Sequence, residues 1–366
     1  MRNEKAAEFF IGSNSGRGFY SYFDSFYDSR EMKRVFLLKG GAGNGKSTLM
    51  KKIAEAGLAS GLRTEKIYCP SDPSSLDAVM IGDTGAAVID ATPPHALEAE
   101  YHGVLDRYIS LSEYVDFDGA VEERDEIVAL TGEIKACHDA ARKRLAGAYS
   151  ASNAMIGLIL NGVDTARLSR RGASLAGKYI PQRRGAERSK VKKRFLSGIT
   201  PKGSVSFPAT VKTLAGACGQ QEIRNIAVWD DYGLSPFLLS PVLDAATENG
   251  YEVYACYAPL VPSCLTGVIV PELGLVFAVG ADGMFDHEEN VRNIRLNDAI
   301  APDVMKKSRS RLKILRRAER ALIEDACDCL AEALRLHDML EGIYIRYTDY
   351  NGLNRLADQL IEACCG

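Results

Sequence analysis

Val35-Phe36-Leu37-Leu38-Lys39-Gly40-Gly41-Ala42-Gly43-Asn44-Gly45-Lys46-Ser47-Thr48-Leu49-Met50-Lys51-Lys52-Ile53-Ala54 is the stretch that decides the fold. It opens on four apolar residues that read as a buried strand. It closes on a segment that reads as a helix. Between them Gly40, Gly45, Lys46 and Ser47 satisfy G-x-x-x-x-G-K-[ST]. The spacing has a mechanism. Glycines let successive backbone N–H groups turn toward an anion, and the following helix aims its positive end at the same point. Gly40, Gly41, Ala42, Gly43, Asn44, Gly45, Lys46, Ser47 and Thr48 are therefore the expected phosphate cradle. In it Lys46 would reach the β- and γ-phosphates and the Ser47 hydroxyl would ligate Mg²⁺. The alternative is an ordinary glycine-rich turn between a strand and a helix.

Working outward, 366 residues suffice for two domains with separate cores. A formal net charge of −3 gives no global reason to expect nucleic-acid binding. Met1 to Glu8 is polar and charged, unlike a signal peptide. The most apolar region, Tyr251 to Ala281, is interrupted by Pro259, Pro262, Pro271 and Glu272, so it reads as buried strands rather than a membrane span. The nine cysteines include no C-x-x-C pair and no metal-ligand spacing. They read as thiols of a reducing compartment, so a cytoplasmic location is expected.

The chain also repeats itself. Gly61 and Gly250, like Gly85 and Gly274, stand 189 residues apart, each pair in matching Tyr/Cys/Pro/Ser/Leu surroundings. Phe10, Gly18 and Ser21 match Phe195, Gly203 and Ser206 at a separation of 185, as do Ile109 with Ile294 and Asp164 with Asp349. The expected organisation is a first domain at 1–182, a second at 195–366 and a polar, basic linker at 183–194. Each half ends in a long helical pattern. Ile127, Leu130, Ile134, Cys137, Ala141, Leu145 and Ala148 recur at helical spacing in the first. Leu315, Ala318, Leu322, Ala326, Cys329, Ala333 and Leu340 do so in the second. Such stripes are expected to cover the sheets or to pack on each other within the chain.

The second loop has lost the chemistry of the first. Aligned on Gly61 and Gly250, Gly45, Lys46 and Ser47 become Leu234, Ser235 and Pro236, after a strand that runs into Asp230-Asp231. Two carboxylates there would repel a triphosphate, and Pro236 removes an N–H from the cradle. One nucleotide per chain is expected.

A magnesium–nucleotide site also needs a carboxylate at the end of a second buried strand. Ala86-Ala87-Val88-Ile89-Asp90 has that form, and its counterpart in the second half is Val279. Asp90 is the candidate, beside Lys46 as the catalytic pair and beside Ser47 as the metal pair; the alternative is an aspartate capping the next turn. Asp72 and Asp77 either position water or a second substrate, or cap a turn. His95 is a phosphate contact or base, or a surface histidine. Arg17, matched by Lys202, is a phosphate contact or part of a solvated turn. The basic linker is a source of an arginine finger or a solvated segment.

There is no Asn-Lys-x-Asp segment, which disfavours a GTPase, and no Leu-Ser-Gly-Gly-Gln segment, which disfavours an ABC ATPase. ATP is the default nucleotide by elimination. The Lys39 to Lys52 segment, Ser71-Asp72-Pro73-x-Ser75-Leu76-Asp77, Ile89-Asp90-x-Thr92-x-Pro94-His95 and Thr200-Pro201-Lys202-Gly203 together resemble a bacterial two-repeat family. Its members are labelled P-loop ATPase or nucleotide-kinase-like. Ala42 and Asn44 stand where that family usually has Pro and Thr, and the second phosphate loop of the relatives is missing.

The expectation is thus an α/β protein of tandem, duplicated P-loop NTPase-like three-layer domains with added helical regions, whose halves form an intrachain pseudo-dimer. It would bind ATP and Mg²⁺ through the first half and hydrolyse ATP or transfer its phosphoryl group to a small-molecule or protein acceptor. The rival is a non-catalytic module switched by ATP. No membrane partner is expected.

Overall fold

A computed structural model describes residues 6–26, 31–93, 97–280, 285 and 291–366. Pro94 and His95 lie outside the described residues. The first half begins with β1 (Ala7–Phe10), a hairpin of β2 (Gly12–Ser15) and β3 (Gly18–Ser21), and the single turn α1 (Phe23–Phe26). It continues through β4 (Arg34–Lys39), α2 (Lys46–Ala59), β5 (Thr64–Tyr68), β6 (Leu76–Ile81), β7 (Ala86–Asp90) and β8 (Asp106–Ser110). The short α3 (Phe117–Ala120), the long α4 (Arg124–Ile159) and α5 (Thr165–Tyr179) follow.

The second half repeats the plan. It opens with β9 (Val191–Arg194), the hairpin β10 (Ser197–Thr200) and β11 (Gly203–Ser206), and α6 (Thr210–Ala217). Then come β12 (Arg224–Trp229), α7 (Ser235–Glu248), β13 (Val253–Tyr257), β14 (Leu265–Val270), β15 (Leu275–Val279) and β16 (Arg292–Arg295). It closes with α8 (Pro302–Ile345) and α9 (Tyr350–Cys365).

The class is α/β. Among the described residues the main sheets have six strands each, in the order β1-β5-β6-β7-β4-β8 and β9-β13-β14-β15-β12-β16. The two orders coincide when β1 is set on β9. In each sheet only the third strand, β6 or β14, runs against its neighbours. The remaining pairs are parallel, with both faces buried, and their sequences are accordingly runs such as Val35-Phe36-Leu37-Leu38 rather than alternations.

The halves close on each other reciprocally. Phe10 and Phe195 exchange both backbone hydrogen bonds at 2.9 and 2.8 Å. Asp116 N–H donates to the Tyr347 carbonyl at 2.7 Å, and its repeat counterpart Ala301 N–H donates to the Gly162 carbonyl at 2.8 Å. The inner faces of both sheets, with α1 and α6, share one core that includes Leu37, Ile89, Tyr254 and Ala278. That sharing corrects the expectation of a separate core for each domain: each sheet has its helical layer outside, and the other half inside.

The helical layers cross over as well. α9 lies on α2, where Leu353, Leu356 and Leu360 join Met50 and Ile53. α5 lies on α7, where Leu168 and Leu175 join Leu238 and Val242. Each half thus lends its last helix to the sheet of the other. α4 and α8 run antiparallel against each other, with Leu130 near Leu340 at one end and Leu158 near Ser308 at the other.

The basic linker is corrected at its end, while most of 183–190 is exposed as expected. Val191–Arg194 is not a solvated tether but edge strand β9, paired in parallel with β13. Arg194 is 1 % exposed. Its Nη2 meets Glu65 Oε2 of the first half at 3.0 Å, and its guanidinium lies 5.0 Å from the Phe26 ring. A cation can be buried here because a carboxylate and aromatic faces surround it. Burial alone would push the Glu65 carboxyl up. Arg194, Lys192 and the Tyr254 hydroxyl bond outweigh that and hold it below the usual carboxylate range.

Candidate functional site

β4 lies inside its sheet between β7 and β8, parallel to both. Their C-terminal ends therefore share one edge, and Asp90 sits beside Leu38 there. A crevice at such an edge is where parallel sheets gather ligand-binding loops. The chain leaves β4 at Lys39 and enters α2 at Lys46 through a glycine loop. Two of its residues require glycine: Gly43 with φ +69° and Gly45 with φ +76°. A side chain is strained at either value. The loop leads directly into the N-terminus of a fourteen-residue helix, whose free N–H groups and positive end lie there.

Lys46 folds back over this loop. Its Nζ donates to the Gly40 carbonyl at 2.8 Å and to the Gly41 carbonyl at 2.7 Å, and stands 3.8 Å from Asp90 Oδ2. Of the two roles the sequence left open for Asp90, the geometry displays the turn cap. One oxygen accepts the Thr92 N–H at 2.8 Å in a turn, while the other faces Lys46. Ser47 Oγ accepts the Leu76 N–H at 3.0 Å, which ties α2 to the start of β6. Asn44 is buried in the loop with an unpartnered Oδ1. Ala42 packs against the α4–α8 seam, and Thr48 is exposed.

The other candidates scatter. Asp72 Oδ1 accepts the Ser74 N–H and hydroxyl at 3.0 and 2.7 Å, so it caps a turn. Burial would raise its carboxyl, but hydrogen bonds from Ser75 and Ser74 hold it below the usual range. Asp77 is buried in β6. There, after burial itself, it is the main charge pushing the Cys69 thiol up. Arg17 Nη2 donates to the Tyr149 hydroxyl at 3.0 Å on α4 rather than to the loop.

The counterpart loop, at the end of β12, is built differently. Asp230 Oδ2 accepts the Ser235 N–H at 2.6 Å and Oδ1 the Tyr232 N–H at 3.1 Å. A carboxylate thus stands where the N-terminus of α7 presents its free donors. Asp231 is drawn away to Asn297, Nδ2 to Oδ2 at 2.5 Å.

Sequence reasoning missed what lies over the first loop. The Gly43 N–H donates to Glu341 Oε1 at 3.3 Å, and Glu341 belongs to α8. A Cβ at Gly43 would come within 2.9 Å of the Glu341 carbonyl oxygen and 3.1 Å of Tyr344 Cβ. His337, Glu341 and Tyr344 recur at i, i+4 and i+7, on one helix face. The first half has Ser152, Ile156 and Ile159 at those repeat positions. A glutamate where the other half has isoleucine is the signal the sequence carried.

Compared with known proteins, the chain shows no significant match to any family model, curated protein or solved structure. Among the described residues, no helix is long and apolar enough to cross a membrane.

Proposed function

We propose that the glycine loop at Gly40–Thr48 binds the polyphosphate of Mg-ATP, one per chain, in a P-loop NTPase-like domain. The observation that carries this is the joint placement of three features. They are left-handed glycines at 43 and 45, a helix beginning at Lys46, and Asp90 at the end of the neighbouring parallel strand. The buried, unpartnered amide oxygen of Asn44 lies in the same loop. With nucleotide bound, Lys46 would leave the Gly40 and Gly41 carbonyls for the phosphates, and Ser47 and Asp90 would hold Mg²⁺ directly or through water. Mg²⁺ would supply charge neutralisation between the phosphates.

The reaction that follows from this reading is phosphoryl transfer, to water or to a small acceptor, from the first half alone. Asp230 already satisfies the equivalent helix N-terminus in the second half, and no lysine stands there. A second reading is an ATP-set switch with little turnover. It is favoured by the position of α8, from the other half, directly on the loop. The resemblance to the two-repeat bacterial family supports ATP binding without choosing between the two.

Titration calorimetry with Mg-ATP, followed by phosphate release with and without a library of small acceptors, tests the proposal. Binding by the natural chain that is lost in Lys46→Ala supports it. Full ATP affinity in Lys46→Ala removes the site assignment. Turnover with ATP alone marks an ATPase, turnover only with an acceptor marks a kinase, and tight binding with neither marks the switch.

A further inference from the structure

The anion that meets the first loop comes from the wrong half of the molecule. Glu341 reaches Gly43 from α8, more than one turn before that helix ends at Ile345. The approach involves the backbone too, since only glycine at 43 leaves room for the Glu341 carbonyl and Tyr344. A Cβ at Gly45 would likewise stand 3.1 Å from Leu353 Cδ1 of α9. Meanwhile the Lys46 ammonium is held by two carbonyls of its own loop. The described contacts therefore give the loop a closed arrangement in which one N–H serves a carboxylate and the lysine is turned inward.

We propose that Glu341 is an internal competitor for the phosphate position. It holds the loop closed in the nucleotide-free chain and is expelled when a nucleoside triphosphate enters. The proposal rests on the nucleotide reading of the loop given above. Two anions cannot share one set of donors without strong repulsion, so triphosphate entry requires the carboxylate to leave. His337 Nδ1, one turn back on the same helix and 3.8 Å from Glu341 Oε1, is a partner the freed carboxylate can keep. The expelled side chain is on the helix that pairs along its length with α4, so filling the loop acts on the seam between the halves. A ligand shifts such an equilibrium only by its preference for the open arrangement. Its apparent affinity is reduced by the closed fraction.

The counterpart position explains why only one loop is gated. Ile156 packs into the apolar core of the second half and offers no charge. The second loop instead carries its carboxylate, Asp230, within five residues of the helix it serves.

The test is calorimetric titration of Mg-ATP, and separately of inorganic triphosphate, into the full natural chain, Glu341→Gln, Glu341→Ala and Lys46→Ala. Removing the charge at 341 should tighten ATP and triphosphate binding about tenfold, while Lys46→Ala weakens it by on the order of a hundredfold. The Gly43 amide resonance should also shift in nucleotide-free Glu341→Gln and move in the natural chain on saturation with ATP. Natural-chain binding that is equalled or weakened by both Glu341 substitutions overturns the proposal and leaves the nucleotide reading intact. A Gly43 resonance unmoved by Glu341→Gln removes the contact itself. Absence of ATP binding by the natural chain and both Glu341 variants overturns the nucleotide reading, and the gate with it.

Discussion

The loops at Gly40–Gly45 and Asp230–Leu234 leave equivalent strands and enter equivalent helices, yet they satisfy the same electrostatic demand in opposite ways. Both helices present free N–H groups and a positive N-terminal end. In the second half a local aspartate answers, accepting the Ser235 N–H of the helix at 2.6 Å and the Tyr232 N–H of the loop at 3.1 Å. In the first half the loop residues are glycine, alanine and asparagine, and the answering carboxylate is Glu341, at 3.3 Å and from the other half. Duplication of a sheet therefore does not duplicate its chemistry. A carboxylate fixed within the loop makes the helix end inert. One borrowed from a distant helix leaves it open to exchange.

The comparison presumes that the halves fold as one body, and the hardest way to break it is at their seam. Arg194→Ala strands Glu65 without its partner in the interior and should cost about 3–5 kcal/mol in urea denaturation. A loss near zero would mean that the two halves are stable independently. Next in size is Lys46→Ala, which should weaken Mg-ATP by on the order of a hundredfold, worth about 2–3 kcal/mol. Ser235→Ala at the matching position should leave nucleotide affinity unchanged by calorimetry.

Acid sharpens the seam further. Glu65 has a folded pKa below its unfolded one, so its contribution to stability is full above about pH 4.3 and drains away as pH falls through the folded value. The stability gap between the natural chain and Glu65→Gln should accordingly be constant from pH 7 to pH 5 and shrink below about pH 4. A gap that stays constant into acid would contradict the lowered titration. Smallest is Asp230→Ala, expected to cost about 1 kcal/mol through the lost helix cap without creating nucleotide binding. Melting temperature and ATP titration of that variant check both halves of the statement.

Much of this was legible in the chain. The apolar run before Gly40 and the glycine positions gave strand, loop and helix, and Ala86–Asp90 emerged as the neighbouring strand with its acid at the right edge. The recurring offsets of 185 and 189 residues foretold matching halves, because similar spacing of glycines and apolar runs imposes similar turns and strands. Periodicity, however, reports which face of a helix is buried and not against what. The stripes on α4 and α8 left open whether these helices pair, as they do, or cover the sheets, and gave no sign that α5 and α9 change sheets. Charge misled at the end of that basic segment, where Arg194 reads as solvated until Glu65, more than a hundred residues earlier, is seen to face it. Glu341 was hidden for the same reason: its partner is a backbone N–H of the other half.

The exchange of α5 and α9 has a consequence for how the molecule comes into being. During synthesis the first sheet and α2 emerge early, but the apolar face that Met50 and Ile53 present stays uncovered until the sixteen residues Tyr350–Cys365 have been made. The glycine loop likewise acquires its neighbours Glu341, Tyr344 and Leu353 only then. Domain-by-domain folding during translation, the usual route for a chain of this size, is closed to the half that carries the candidate site. The site is finished last although its motif is made first, so a nascent or truncated chain displays the motif in a body that has not yet closed.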